Sequence, residues 1–548
     1  MVANIIRIAR QEGLAVDAKL ALEGEGLFGN ASVTATRSVG GFDLAARTTF
    51  DRSGQRSFGT RSQFDPVGRQ TGQQALTFDT SYPELAQRLT VDGVLAGGRL
   101  QAAAMLAHAR LAEAFTFVGK NNAARFPKRT GRWRGELSAD WARVVGEDYA
   151  LKFLALTSVT DVDAKSFSQA GATVAALTTT DLFESRAVSR ETIVRATLGR
   201  NGISAWRPEA GAEIAWNSLD NRAIASSYVA APSQLKSEAR VSETRADVFI
   251  ALEWRPAQRW AVTAGAAYEL SSLRARGDAD REGRFGFLKP RLALVYRPDE
   301  RSNLRLSVRR SVGQLSLSDF AASANLVEGK AYGGNADLVP DHRVSVALDY
   351  DRRFGRRGAL NLNLFHDWRG DVLEAAVLPQ GGFGAVNVPH ARVWGGAANL
   401  ELPVDRLAPG GLLKLGYAYQ SSRIVDPVTG QRRGITGQRP QTLTVAFRQD
   451  LSAARFSWGL DYTRGFGDWS WYVDEARRHR RAGELGAYVE TTSFKAAKIR
   501  LQVDGLLGTR NTYDRAQYAT TRASAASGRE IWDIRTPVMA SVSLSRYF

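Results

Sequence analysis

The chain has 548 residues, a net charge of +17 and no cysteine, so neither a disulfide framework nor a thiolate metal site is available to it. Its 73 Lys and Arg residues are scattered singly, with no basic block and no ββα, helix-turn-helix or RNP-like pattern, which argues against nucleic acid as a partner. No run of about 18 apolar residues supplies a membrane-crossing helix, and 1–10 has an apolar patch but neither the h-region nor the cleavage site of a signal peptide.

In chain order, the first predicted strands are 16–22 and 31–37, and Gly40–Gly41 turns the second into 42–50, where Phe42, Leu44, Ala46 and Thr48 share a face. A polar stretch rich in Gly, Gln, Ser and Arg covers 51–84. Strands follow at 87–95 and 100–108 around Gly97–Gly98; after a basic gap at 111–130 come 132–144 and 149–160. A long loop then reaches about 185, and 191–198 turns at 200–202 into 203–216. Beyond a loop at 217–242, Val248, Ile250, Leu252 and Trp254 oppose Asp247, Phe249, Ala251 and Glu253. That period of two is a strand with an apolar and a polar face. Arg297-Pro-Asp-Glu-Arg301, like 255–259 before it, is a chain-reversing turn. It joins Leu292, Leu294 and Tyr296, alternating with Arg291, Ala293 and Val295, to Leu304, Leu306 and Val308, alternating with Asn303, Arg305, Ser307 and Arg309. Later tight turns at 355–358, 405–411, 450–454 and 494–498 alternate with loops near 311–341, 370–388, 421–437, 465–483 and 508–535.

Short turns at one end and long loops at the other predict an all-β chain: one large antiparallel transmembrane β-barrel of about 22 strands, with short periplasmic turns and long extracellular loops. A soluble sandwich or propeller shows the same alternation. Three features favour the barrel: the regular asymmetry, the aromatics at strand ends (Trp254, Trp260, Trp368, Tyr417, Tyr419, Trp458, Tyr462), and opposite faces carrying Asn361, Asn363, Asp367, Arg448, Asp461, Arg500, Gln502 and Asp504. Rings at strand ends suit lipid-interface girdles, and the polar faces suit a wet lumen. Closure also removes edge strands, whose backbone groups lipid cannot satisfy.

The last strand, 536–548, sets Val542, Leu544, Arg546 and Phe548 against serines and stops on an aromatic. Val542, Leu544 and Phe548 resemble the assembly signal of bacterial outer-membrane proteins, which implies the barrel assembly machinery as a partner. Arg546 departs from that signal, which usually has an apolar or aromatic residue there. With 290–299, 304–313 and the motif Gly334-Asn-Ala-Asp-Leu-Val-Pro340, the chain resembles the barrel of a TonB-dependent outer-membrane receptor over 11–548. The motif residues are Gly334, Asn335, Leu338 and Pro340; the family usually has Pro where Ala336 stands. Pro340 fixes φ at the strand entry, and Gly334-Asn335 is expected to permit a tight bend. The family also carries a signal peptide, a TonB box and a plug. Of these, only 2–10 resembles a part, the last plug strand, so 1–10 is expected to be its remnant. A fragment, a start assigned too late and a plugless barrel all fit.

The resemblance implies a Gram-negative outer-membrane receptor/transporter, not an enzyme, without cofactor, for a scarce nutrient such as a ferric siderophore, a cobalamin-like compound or a saccharide. Outer-membrane lipid, including lipopolysaccharide, is the implied surroundings, and TonB is a partner where a plug and TonB box exist upstream. The alternative is a plugless passive pore or a structural or adhesion barrel. The five histidines show no metal-ligand spacing and read as solvated loop or lumen residues. The richest loop is 465–481, in which Trp469, Trp471 and Tyr472 beside Arg477, Arg478, Arg480 and Arg481 could stack on and pair with an anionic ligand. The more general reading places the tryptophans in the aromatic girdle and the arginines against lipopolysaccharide phosphates.

Overall fold

The computed structural model describes residues 12–548 apart from 24–25, 202–203, 230–231, 278–279, 322, 329, 336, 380 and 495–496; the expected plug remnant at 1–10 lies outside the described residues. Among the described residues, twenty-two strands close one antiparallel barrel. The strand Gly13–Glu23 pairs with Gly26–Val39 on one side and with Met539–Tyr547 on the other, which seals the wall. Beside the seam, the Phe548 N–H donates to the Leu14 carbonyl at 2.7 Å and the Leu14 N–H returns a bond at 3.1 Å. Val542, Leu544 and Phe548 are exposed on the outer face, with the Arg546 guanidinium 4.2 Å from the Phe548 ring centre.

At the short-turn rim Gly40 and Gly41 both have positive φ, 59° and 84°, as a two-residue turn matched to strand twist requires. Above the turns the period of two sorts the side chains. In Gly358–Gly370, Leu362, Leu364 and Trp368 are exposed outward. Asn361 and Asn363 point inward and donate to Asp351 and Asp349 of the neighbouring strand, each at 2.6 Å. A leucine such as Leu364, 59% exposed at mid-strand, faces lipid in a barrel of this kind. Trp206 and Trp216 of Trp206–Ser227 mark the two edges of the apolar band. Ten residues at ~3.3 Å rise and ~40° tilt span about 25 Å, the height of such a band. Trp206 stacks on Trp254, and Trp260 on Tyr296, at the lower edge. Histidines also join the girdle: His108 stacks on Trp133 and His366 packs on Trp368, so these two lie at the lipid interface rather than in a solvated loop or the lumen.

The early polar stretches are strands, not loose loops. Phe42–Phe64 and Gln70–Leu95 form one hairpin that contains all of 51–64 and 70–84, and 111–118 and 123–130 continue Gly98–Val118 and Ala123–Val145. The 26-residue strand Gln70–Leu95 extends over roughly 85 Å, far more than the apolar band, so its upper half stands above the membrane, with Leu76 and Phe78 turned into an apolar cluster on one face and polar residues on the other. The short/long asymmetry therefore persists, built from tall hairpins in the first half of the chain and from loops in the second.

One wall strand is left without a neighbour at its top. Gly26–Val39 pairs with Phe42–Phe64 only up to Arg52, leaving a bare edge above it. Ala526–Thr536, from the last loop, pairs onto that edge between Phe58 and Phe64. Thr509–Tyr518, Glu475–Arg481 and Phe466–Trp471 then add in turn, so the edge continues into a cap sheet instead of remaining exposed. The loop 313–341 folds inward: Leu315, Phe320 and Leu338 pack against Val241, Leu273 and Ala275 of the inner wall. Its motif stabilises that fold. The Asn335 side chain donates to the Ala385 carbonyl at 2.8 Å and accepts from the Asp337 N–H at 2.9 Å, and Leu338 and Pro340 are buried. Gly334 does not supply a left-handed bend, as it is not among the residues with positive φ; a Cβ there would run into the Phe320 carbonyl. Close approach is its reason.

Candidate functional site: a cavity at the loop rim

Between the cap sheet, the tall wall and the tip of the loop 313–341 lies a cavity of ≈ 680 Å³. Its floor is an unbroken arc of rings. Phe78 stacks on Phe115 at 4.1 Å, Phe115 meets Trp532 at 5.7 Å, and Trp532 meets Tyr513 edge-on at 6.4 Å. Tyr513 lies flat on His479 at 4.4 Å, and His479 stands against Phe466 at 5.4 Å. Pair register explains the arc: His479, Tyr513 and Trp532 are successive Cα partners across three cap strands, and Phe78 faces Phe115 across the wall. Lys128, Arg439, Arg477, Arg481 and Arg515 line the same space against two carboxylates, Glu113 and Glu328.

The hairpin formed by Ser323–Asn325 and Lys330–Tyr332 closes over the cavity and is held by ion pairs. Arg477 meets Glu328 at 2.6 Å, and Lys330 meets Asp474 at 2.5 Å and Glu475 at 3.3 Å. Glu475 is the hub, 1% exposed, and accepts from Arg515 at 2.9 and 2.7 Å and from Arg477 at 3.0 Å. Burial opposes its ionisation, but the Arg515 hydrogen bonds and the charges of Arg515, Arg477 and Lys330 outweigh it and hold the carboxyl at about 2. Glu530 follows the same logic. Burial raises its pKa, yet Arg61 and Arg515 bring it below the ordinary range. In a second knot, Arg433 bridges Glu374 and Asp426, and Arg522 meets Asp426 through both Nη atoms at 2.5 and 2.9 Å. Asp426 is thereby depressed far below an ordinary carboxyl against the effect of burial. Five loops are tied together in this way.

The expected ligand-contacting residues of 465–481 are divided by the strand period. Arg477 and Arg481 face the cavity, together with His479. Arg478 and Arg480 point to the opposite side, Arg478 over Trp469 at 5.7 Å. Trp469 and Trp471 stack on each other at 5.0 Å within the cap sheet, outside the girdle, and Trp471 carries Arg433 and Arg522 against its ring. Tyr472 lies between Lys330 and Arg477. Sequence reasoning missed His479, read as solvated, and the ring partners Phe78, Phe115, Tyr513 and Trp532. The alternation of Phe115 and Phe117 inside the presumed gap was the available signal.

Residues 22–535 match the family of TonB dependent receptor-like β-barrels. The chain belongs to the TonB-dependent receptor family. It is thus the barrel of a Gram-negative outer-membrane receptor, in a family whose name states its dependence on TonB and whose structural neighbours are receptors and transporters. The ferric citrate transporter FecA in its unliganded form is similar in structure, with a TM-score of 0.68 at 10% identity over 99% of this chain and 79% of that one. The ferric yersiniabactin uptake receptor FyuA from Yersinia pestis gives 0.67 at 11%, over 98% and 80%. The copper transporter OprC gives 0.66 at 12%, over 98% and 80%. At such identities the likeness concerns the fold. No curated protein matches the chain.

Proposed function

We propose that this receptor takes up a scarce nutrient presented as an anionic, ring-bearing complex, with a ferric siderophore ahead of a cobalamin-like or saccharide ligand, and that TonB energises the passage. The observation that carries this reading is the cavity, in which an arc of aromatic rings and five cationic side chains line the same space. Rings supply stacking area and guanidinium groups supply charge-assisted bonds to carboxylate, phenolate or catecholate oxygens. A saccharide would use the rings but has less need of the cations. The neighbours named for ferric citrate, ferric yersiniabactin and copper are consistent with a metal-complex cargo. The hairpin over the cavity and the knotted loops weigh against a permanently open pore. Outer-membrane lipid surrounds the wall, and the terminal strand with Val542, Leu544 and Phe548 engages the barrel assembly machinery.

The test is quenching of tryptophan fluorescence, Trp532 included, by a panel of ferric catecholates, ferric hydroxamates, cobalamin and oligosaccharides, followed by uptake in cells with and without TonB. Saturable quenching by a ferric complex with TonB-dependent uptake is expected. A large steady conductance of the reconstituted barrel, with no saturable ligand, would establish the passive pore instead.

A further inference from the structure

Away from the cavity, the outer wall carries a cluster of cations that find no partner among the described residues. Arg392 in Ala391–Pro403 is the Cα partner of Arg423 in Gly411–Val425, and Arg432 lies opposite Val425 on the short strand Arg432–Arg433. Arg433 turns inward to Glu374 and Asp426, so Arg432 points outward with Val425 and Arg423. All three arginines are exposed, and among the described residues none forms an ion pair with a carboxylate. Elsewhere on the outer wall arginines do find carboxylates: Arg186 pairs with Asp161, and Arg190 and Arg240 with Asp220. Like charges directly opposite each other weaken a ladder, so Arg392 and Arg423 call for an anion from outside the protein.

Their height says which anion. Arg392 is the Cα partner of Trp368, and two residues below it Trp394 packs against Tyr419, part of the upper ring of aromatics. Leu402, at the short-turn end of the same strand, is ten residues further along, about 25 Å lower by the rise and tilt used above. The three guanidinium groups therefore sit where the apolar band ends and headgroups begin. We propose that Arg392, Arg423 and Arg432 form a binding site for the phosphorylated headgroup of an outer-leaflet lipid. Guanidinium forks match phosphate oxygens bidentately, and Trp394 and Tyr419 sit at the depth where rings border acyl chains. The site rests on the barrel's place in the outer membrane and not on the nutrient reading, so either can fail without the other.

Native mass spectrometry of the full chain in detergent tests it, with a bis-phosphorylated glycolipid and the same lipid after phosphatase treatment as probes. Wild type is expected to retain the phosphorylated lipid, and R392Q/R423Q/R432Q to bind it about 100-fold more weakly, roughly fivefold per arginine. R186Q/R190Q/R240Q, which removes equal charge from paired arginines, is expected to stay within about threefold of wild type. The phosphatase-treated lipid should bind wild type as weakly as the intact lipid binds the first variant. A compact band on unboiled gels confirms that each variant is folded. Equal retention by wild type and R392Q/R423Q/R432Q overturns the proposal. Displacement by equimolar inorganic phosphate also overturns it, by assigning the arginines to a free anion.

Discussion

Arg515 grips Glu475 through two hydrogen bonds, from Nε at 2.9 Å and Nη2 at 2.7 Å, and both side chains are almost wholly withdrawn from solvent. The pair joins cap strands from two loops and anchors the hairpin over the cavity through Lys330. Removing Arg515 breaks the bidentate bond to Glu475, which keeps only Arg477 and Lys330, and takes a partner from Glu530; breaking a buried pair of this kind costs about 3–5 kcal/mol. Arg515→Met is therefore expected to raise trypsin cleavage within 464–483 and 505–538 by about 100-fold or more while leaving the barrel compact on unboiled gels. Glu475→Leu with Arg515→Met should recover much of the protection, because a buried pair replaced by apolar groups of similar volume is often neutral. No recovery in the double variant would mean that the pair does more than neutralise itself.

Acid should loosen the cap before the wall. The Glu475 carboxyl lies at about 2 in the folded chain against an ordinary 4.5, and Glu530 and Asp426 are depressed as well. A depressed folded pKa means stability that is fully present above the unfolded value and lost as pH falls through the folded one. Protection of the cap is expected to be flat from about pH 7 to 5 and to fall between about 4.5 and 2, with pepsin as the probe at the acid end. A decline already complete at pH 5 would implicate other groups.

Gly334 sits against the Phe320 carbonyl without room for a Cβ. Gly334→Ala must push the motif away from Phe320, and overpacking of this kind costs about 1–3 kcal/mol. Faster hydrogen exchange is expected across 313–341 and at the Val339 N–H, which donates to Asn387 at 2.9 Å. Exchange in Gly358–Gly370 should not change. A normal exchange pattern would return the glycine to a conformational role.

The wall was legible because its signal is local: Leu360, Leu362 and Leu364 alternate with Asn361 and Asn363, and the lipid–lumen contrast writes period two directly into the sequence. Above the membrane that contrast disappears. The stretch 51–84 has no lipid face and is held as strand by its partners; two of its few apolar side chains, Leu76 and Phe78, turn to a cluster made by distant strands, so little in its composition sets it apart from a loop. The candidate site was half legible. Arg477 and Arg481 stood out as a charged run, but which arginines face inward depends on register, and the ring arc joins Phe78 to Trp532 through pairings made across most of the chain.

Lipid and lumen faces should respond oppositely to the same charge. Leu364 is exposed outward at mid-strand, and its neighbour Asn363 points into the lumen toward Asp349. Leu364→Arg is expected to destabilise the barrel in lipid vesicles by about 2–4 kcal/mol. Asn363→Arg should be nearly neutral, since it meets water and a carboxylate. Urea-dependent refolding into vesicles, read by the unboiled-gel shift, checks both. Equal effects would show that the band does not face lipid at this strand.

The alternation within Glu475–Arg481 provides the sharpest test of the cavity. Arg481 lines it and Arg480, one residue away, is on the other face. Both side chains are exposed and lie in the same cap strand, so a purely electrostatic attraction of an anionic ligand to the cap would be weakened similarly by either loss. A direct charge-assisted contact is worth about 1.5–3 kcal/mol. Arg481→Gln is therefore expected to weaken the ferric complex selected by fluorescence quenching by roughly tenfold or more, and Arg480→Gln by less than about twofold. His479→Ala, which removes a ring stacked on Tyr513, should weaken it by an intermediate factor and leave the salt dependence unchanged. Arg481→Gln and Arg480→Gln with matching losses would place the ligand outside the cavity, on the general field of the loops.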